Sequence, residues 1–280
     1  MRVNHLMALG STGFHRLSYR EWGDPDNPKV LVCLHGLTRN CRDFDLLAQR
    51  ISARWRVICP DMAGRGDSEW LKDDNEYNIV TYRNDCAQLF ARLNVEELAW
   101  LGTSMGGVIG ISLAAMVQTP ITRMVINDIG PFVPGAGLQR IASQIGSDPW
   151  FPDLGAVEAV LRKTMTSFGV RHSEHWQHIA RTAVRPAAEG GFRLHYDPGI
   201  ARAFVAAGIQ DNSFWSIWDK VACPTLVLRG KESDILDVAT AQEMTQRGPS
   251  TDLVEIPGCG HAPMLMEEDQ IDIVSEWLES

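Results

Sequence analysis

Ser104 stands at the centre of Gly102-Thr103-Ser104-Met105-Gly106, directly after the apolar run Leu98–Leu101 and directly before a helical run that begins at Met105. A serine hydroxyl is a weak nucleophile at neutral pH, so it needs a base to take its proton and a carboxylate to orient that base. His261, in the glycine-rich loop Gly258–Pro263, fits the base. Asp234 fits the carboxylate. It closes Arg229–Asp234, which leaves the apolar run Thr225–Leu228, and it gives the chain order serine, aspartate, histidine of a strand–turn–helix serine elbow. Asp128, at the end of the run Met124–Ile126, is the rival position for the acid, while Glu232 reads as a solvated loop charge and Asp237 as a helix N-cap. Attack on a carbonyl places negative charge on oxygen, which preorganised donors must meet. The backbone N–H groups of Met105, at a helix N-terminus, and of Leu37, in His35-Gly36-Leu37, are placed to supply them. His35 reads as a brace for that loop. The chemistry expected is acyl transfer by Ser104, with no cofactor and no metal.

Composition alone would produce a G-x-S-x-G pattern in about one such chain in ten, so the elements around it decide its meaning. Short apolar runs predict strands over Val30–Leu34, Arg56–Cys59, Ala99–Gly102, Met124–Asp128, Thr225–Arg229 and Leu253–Ile256, with an earlier antiparallel strand over Phe14–Trp22. Amphipathic runs between them predict helices over Arg42–Ala53, Ile79–Leu93, Met105–Val117, Thr240–Arg247 and Gln270–Leu278. That alternation is the pattern of an α/β fold with a mostly parallel sheet. From Pro131 to Trp218 helical periodicity continues without a buried strand run. The chain therefore divides into a core of residues 1–130 and 219–280 and a helical lid of residues 131–218, seated over the strand ends where ligands bind in open α/β sheets.

The 280 residues are 45% hydrophobic and 22% charged, as in ordinary globular proteins, and a net charge of −9 opposes phosphate backbones and anionic lipid. Nucleic acid and membrane are thus excluded as expected partners, and no stretch approaches a membrane span. Asn4 and His5 interrupt what would be the apolar part of a signal peptide. The six cysteines are scattered with no C-x-x-C pair, which reads as buried, reduced thiols in a cytoplasmic protein, monomeric or homodimeric. His172, His175 and His178 step around a helix by threes and read as solvent-facing imidazoles, not a metal set. Among the aromatics Trp150, Phe151, Phe168, Trp176, Phe204, Phe214, Trp215 and Trp218, one or two are expected to meet substrate and the rest to pack the lid. Met264 and Leu265 are candidate pocket walls, and Arg65 and Asp67 read as parts of a structural loop.

Six segments, taken together, resemble the α/β-hydrolase superfamily, and more narrowly its lidded serine carboxylesterases. They are His35-Gly36, Asp61–Ser68, Gly102–Gly107, Asn127–Pro131, Arg229–Asp234 and Gly258–Pro263, in the family's order along nearly the whole chain. The resemblance implies a doubly wound sheet of about eight strands with a helical cap. Epoxide hydrolases and haloalkane dehalogenases of this fold use an aspartate where Ser104 stands. Carbon–carbon bond hydrolases usually carry tryptophan where Ala262 stands, and cofactor-free haloperoxidases usually carry an aromatic residue where Leu37 stands. The resemblance thus implies a small-molecule ester substrate cleaved through an acyl-enzyme on Ser104, with aliphatic polyesters among the substrates that such esterases accept. Two alternatives stay open: a carbon–carbon hydrolase or enol-lactonase acting on aromatic-degradation intermediates, and a hydrolase-like ligand receptor.

Overall fold

The apolar runs pair into one eight-stranded sheet. The computed structural model describes all 280 residues. Its strands are β1 (Arg2–Leu9), β2 (Phe14–Trp22), β3 (Val30–Leu34), β4 (Arg56–Pro60), β5 (Leu98–Thr103), β6 (Ile121–Asn127), β7 (Thr225–Gly230) and β8 (Thr251–Ile256), in the order β1-β2-β4-β3-β5-β6-β7-β8. β1 and β2 pair antiparallel, and β2 joins β4 antiparallel; from β4 across to β8 every pairing is parallel. In chain order the helices are α1 (Asp45–Ile51), α2 (Ile79–Leu93), α3 (Met105–Ala114), α4 (Gly135–Gln144), α5 (Leu154–Thr164), α6 (Ser173–Thr182), α7 (Gly199–Ala206), α8 (Trp215–Trp218), α9 (Val238–Met244) and α10 (Glu268–Glu279).

Helices cover both faces, which is why β3 and β7 are buried along their whole length and read as unbroken apolar runs. One face packs Trp100, Val227 and Ile126 against α2, α3 and α9 through Leu89, Ile109 and Met244. The other packs Leu101, Val125 and Leu228 against α1 and α10 through Leu47 and Val274. Strand β1, which the sequence pattern did not predict, lies at the sheet edge with only Ala8 buried, so it carries little of the apolar signal that marks the inner strands. All six cysteines are buried and unpaired, and no helix is long and apolar enough to cross a membrane.

The chain between β6 and β7 contains α4 to α8, but it is not wholly helical as expected. Trp150–Phe151, Val184–Pro186 and Phe192–Leu194 form a small antiparallel sheet, and Phe132–Val133 pairs with Asn212–Ser213. Strands of two or three residues are too short to leave a period-two signature. This insertion has its own apolar cluster, built on Val157, Leu161, Trp176 and Ile179, and Met264 and Met266 of the core enter it. Met264 is therefore packing and not a cavity wall, and Leu265 likewise belongs to the α1–α10 side of the core.

Candidate active site

Strand β5 delivers the chain to the C-terminal edge of the sheet, where it turns sharply into α3. At the turn Ser104 has φ 52 and ψ −114, a backbone position that costs on the order of 1–3 kcal/mol and persists only when its surroundings enforce it. The enforcement is visible: Ser104 N–H donates to Asn127 O at 3.0 Å, and its carbonyl accepts from Gly107 and Val108 at 2.8 and 3.1 Å. A Cβ on Gly102 would run into the Gly106 carbonyl, and one on Gly106 into the Leu34 carbonyl. Strand, turn and helix thus approach more closely than any other residue type would allow.

His261 meets Ser104 from the loop after β8, its Nε2 2.8 Å from Ser104 Oγ. On the other side of the ring, Nδ1 lies 2.8 Å from Oδ2 of Asp128. An Nδ1–H donating to that carboxylate leaves Nε2 as the acceptor of the serine proton, the tautomer a general base requires. The acid facing His261 is thus Asp128 and not Asp234. Asp128 is fully buried just past β6, with its second oxygen accepting from Gly230 N–H at 2.6 Å and Oδ2 also accepting from Ser233 Oγ at 2.6 Å. Asp234 turns outward into an ion pair with Arg140 of α4, at 2.5 and 2.8 Å, and that guanidinium holds its carboxyl below the usual aspartate range. The physical reason is adjacency: β6 and β7 are parallel neighbours, so both deliver an aspartate to one sheet edge, and the loop after β7 donates to the first aspartate while its own projects away.

Two residues given no role by the sequence reading stabilise this arrangement. Asn127 Nδ2 donates to Thr103 Oγ1 at 3.0 Å and to Pro263 O at 2.8 Å, tying the serine strand to the histidine loop. Ser233 fixes the Asp128 carboxylate. Both lie in segments that carry the family resemblance, Asn127–Pro131 and Arg229–Asp234, but a polar residue at a strand end or in a loop does not by itself announce such a contact. The insertion grips the histidine loop as well, through Gly260 N–H to Ser167 O at 2.6 Å and Met264 N–H to Phe168 O at 3.2 Å.

Met105 opens α3 and Leu37 follows Gly36, and neither N–H donates to an acceptor within the protein. Both residues line cavity wall shared with Ser104. Two free N–H donors beside a serine hydroxyl could together receive an oxyanion. The Leu37 loop is braced from two sides. Arg65, fully buried, donates Nε–H to Leu37 O, and Nη1–H to Ala63 O and Tyr82 Oη, each at 2.7 Å. His35 accepts from Met62 N–H at 3.0 Å and lies 2.7 Å from Gly36 O through Nδ1.

Burial pushes the His35 pKa down to about 3. Between that value and the ordinary 6.5, the unfolded chain binds a proton here that the folded chain refuses, so stability falls as pH falls through this window. His35→Gln keeps one donor and one acceptor but does not titrate. Wild type should therefore lose stability relative to this variant, by roughly 1 kcal/mol per pH unit below 6.5, in urea unfolding at pH 6.5, 5.5 and 4.5. A constant difference would mean His35 is protonated in the fold.

Ser104, Leu37 and Ile141 stand on the walls of two cavities. One, of about 170 Å³, adjoins His261, Arg39, Arg140 and Phe168. The other, of about 670 Å³, is walled mainly by apolar side chains such as Met105, Val108, Ile129, Phe204 and Phe214. Of the tryptophans and phenylalanines of the insertion, Phe168, Phe204 and Phe214 thus reach a cavity, whereas Phe151, Trp176 and Trp218 are buried in packing. The three histidines do not all face solvent. His175 lies 3.0 Å and His172 3.3 Å from the buried Glu267, and His178 lies 3.0 Å from Arg42 O, because α6 rests on the core at those points.

Residues 29–268 match the family described as alpha/beta hydrolase fold. Over 286 aligned residues the chain is 40% identical to a 3-hydroxybutyrate-oligomer hydrolase of Cupriavidus necator, covering 99% of this chain and 97% of that one. It is 38% identical to a magnesium-chelatase 30 kDa subunit of Rhodobacter capsulatus, over 92% of this chain and 89% of that protein. Among solved structures, an alpha/beta hydrolase from Novosphingobium aromaticivorans superposes with a TM-score of 0.88 at 37% identity, covering 99% of this chain and 98% of that one. Sheet order, strained serine turn and sequence relationship agree, and the chain belongs to the α/β-hydrolase family.

Proposed function

We propose that this protein hydrolyses carboxylic esters through an acyl-enzyme on Ser104. The observation that carries the reading is the hydrogen-bonded series Ser104–His261–Asp128, 2.8 Å at each link. His261 Nε2 takes the Oγ proton as Oγ bonds to the ester carbonyl carbon, and Asp128 stabilises the imidazolium that forms. The N–H groups of Leu37 and Met105 hold the oxyanion. As the tetrahedral species collapses, the ester C–O bond breaks and His261 returns the proton to the departing alcohol. Water then attacks the acyl group by the same route and frees Ser104. The insertion acts as a lid that shapes both cavities and limits water.

For the substrate we take short oligoesters of small hydroxy acids. The largely apolar 670 Å³ cavity has room for several such units, and the name of the Cupriavidus necator relative is in keeping. The Rhodobacter capsulatus relative carries a different name, and the reading rests on the side-chain geometry first. The test is acid release from p-nitrophenyl esters from acetate to palmitate and from linear 3-hydroxybutyrate dimer, trimer and tetramer. Turnover of short-chain esters and of the oligomers is expected. Release of acid from none of them would overturn the proposal.

A further inference from the structure

The larger cavity is lined by 26 residues, and one of them is charged: Arg83, on α2. Its Nη1–H donates to Ser112 Oγ at 3.1 Å, and its Nε is buried without any partner. No carboxylate pairs with it. The contrast with the smaller cavity is informative, because both arginines there are already neutralised, Arg39 by Asp43 and Arg140 by Asp234. The tyrosine hydroxyls of the larger cavity are also engaged, Tyr77 with Asp197 and Tyr82 with Arg65. An arginine on a largely apolar cavity wall, with no counter-charge and no hydrogen bond from Nη2, is suited to receive an anion, and its planar fork matches a carboxylate.

Distance sets the length of the ligand. Ser112 lies eight residues along α3 from Ser104, so at a rise of about 1.5 Å per residue the serine that Arg83 holds stands about 12 Å along the helix axis from Ser104. Each 3-hydroxybutyrate unit adds four backbone bonds, about 4–5 Å when extended. We propose that Arg83 anchors the free terminal carboxylate of an oligoester, two to three units beyond the bond that is cut. In a linear hydroxy-acid oligomer that carboxylate always belongs to the leaving alcohol fragment. The larger cavity therefore takes the leaving group and the smaller one the acyl unit. This assignment rests on the ester-hydrolysis reading above.

The test compares kcat/KM on linear 3-hydroxybutyrate trimer, on the same trimer capped as its methyl ester, and on p-nitrophenyl butyrate, for wild type, Arg83→Leu, Arg83→Gln and Arg83→Lys. Wild type should prefer the free acid over the capped trimer by at least about tenfold. Arg83→Leu and Arg83→Gln should lose that preference by falling about 10- to 100-fold on the free acid alone, with the capped trimer and p-nitrophenyl butyrate within twofold of wild type. Arg83→Lys should restore part of it. A preference that survives in Arg83→Gln overturns the anchor and leaves ester hydrolysis standing. Should wild type cleave none of these esters, the failure lies with the proposed reaction. The anchor is then judged by calorimetric binding of the free-acid trimer to Ser104→Ala with and without Arg83→Gln, where equal affinities would overturn it.

Discussion

An enzyme carrying Asp128→Asn should turn over p-nitrophenyl butyrate about 10⁴-fold more slowly than wild type, the size of loss seen when a triad carboxylate becomes an amide. The amide can present N–H where His261 must donate, which turns the imidazole into the tautomer whose Nε2 carries a proton and cannot accept one from Ser104. It also offers one acceptor oxygen where the carboxylate has two, both already in use by Gly230 N–H, Ser233 Oγ and His261. Asp234→Asn should stay within a fewfold of wild type, since its carboxylate is engaged with Arg140 at the protein surface. Kinetics of the two variants side by side, with circular dichroism to show that both fold, decide the matter. A larger loss from Asp234→Asn would reverse the assignment.

Ser104→Ala should reduce kcat by about 10⁵- to 10⁶-fold, the loss typical of removing the nucleophile from a serine–histidine pair. Binding should survive, because the cavities are walled by other residues and Oγ makes its one side-chain hydrogen bond with His261. Stoichiometric labelling by a fluorophosphonate, which reacts only with an activated serine, should disappear along with turnover. Retention of more than about one per cent of wild-type activity would exclude Ser104 from bond making, and the acyl-enzyme with it.

Ser104 and His261 were legible in the sequence because local chemistry announces them. A serine flanked by glycines between strand and helix is a rare local conformation, and a glycine-rich loop after the last strand brings a histidine to it. The carboxylate that faces His261 was not fixed, because two neighbouring strands each end near an aspartate at the same edge. What separates Asp128 from Asp234 is which carboxylate receives Gly230 N–H and Ser233 Oγ, a tertiary fact with no local signature. The inner strands were legible from apolar runs that two helical layers bury. Strand β1 was not, since at the sheet edge only Ala8 of its eight residues is buried. Arg83 left no trace either: an arginine on an amphipathic helix reads as a solvated charge, and only the cavity beside α3 gives it another meaning.

Ser167 and Phe168 hold the histidine loop by their carbonyls, and Met264 and Met266 sink into the insertion's own cluster. The insertion is therefore no interchangeable cassette. Grafting one from a relative would replace the seat of His261 together with the walls of the cavities, so a transplant aimed at specificity would arrive with the Ser104–His261 geometry disturbed. New substrate ranges are more accessible by single changes on α4 and α7, which contribute cavity wall through Leu138, Ile141 and Phe204 without supplying either of those carbonyls.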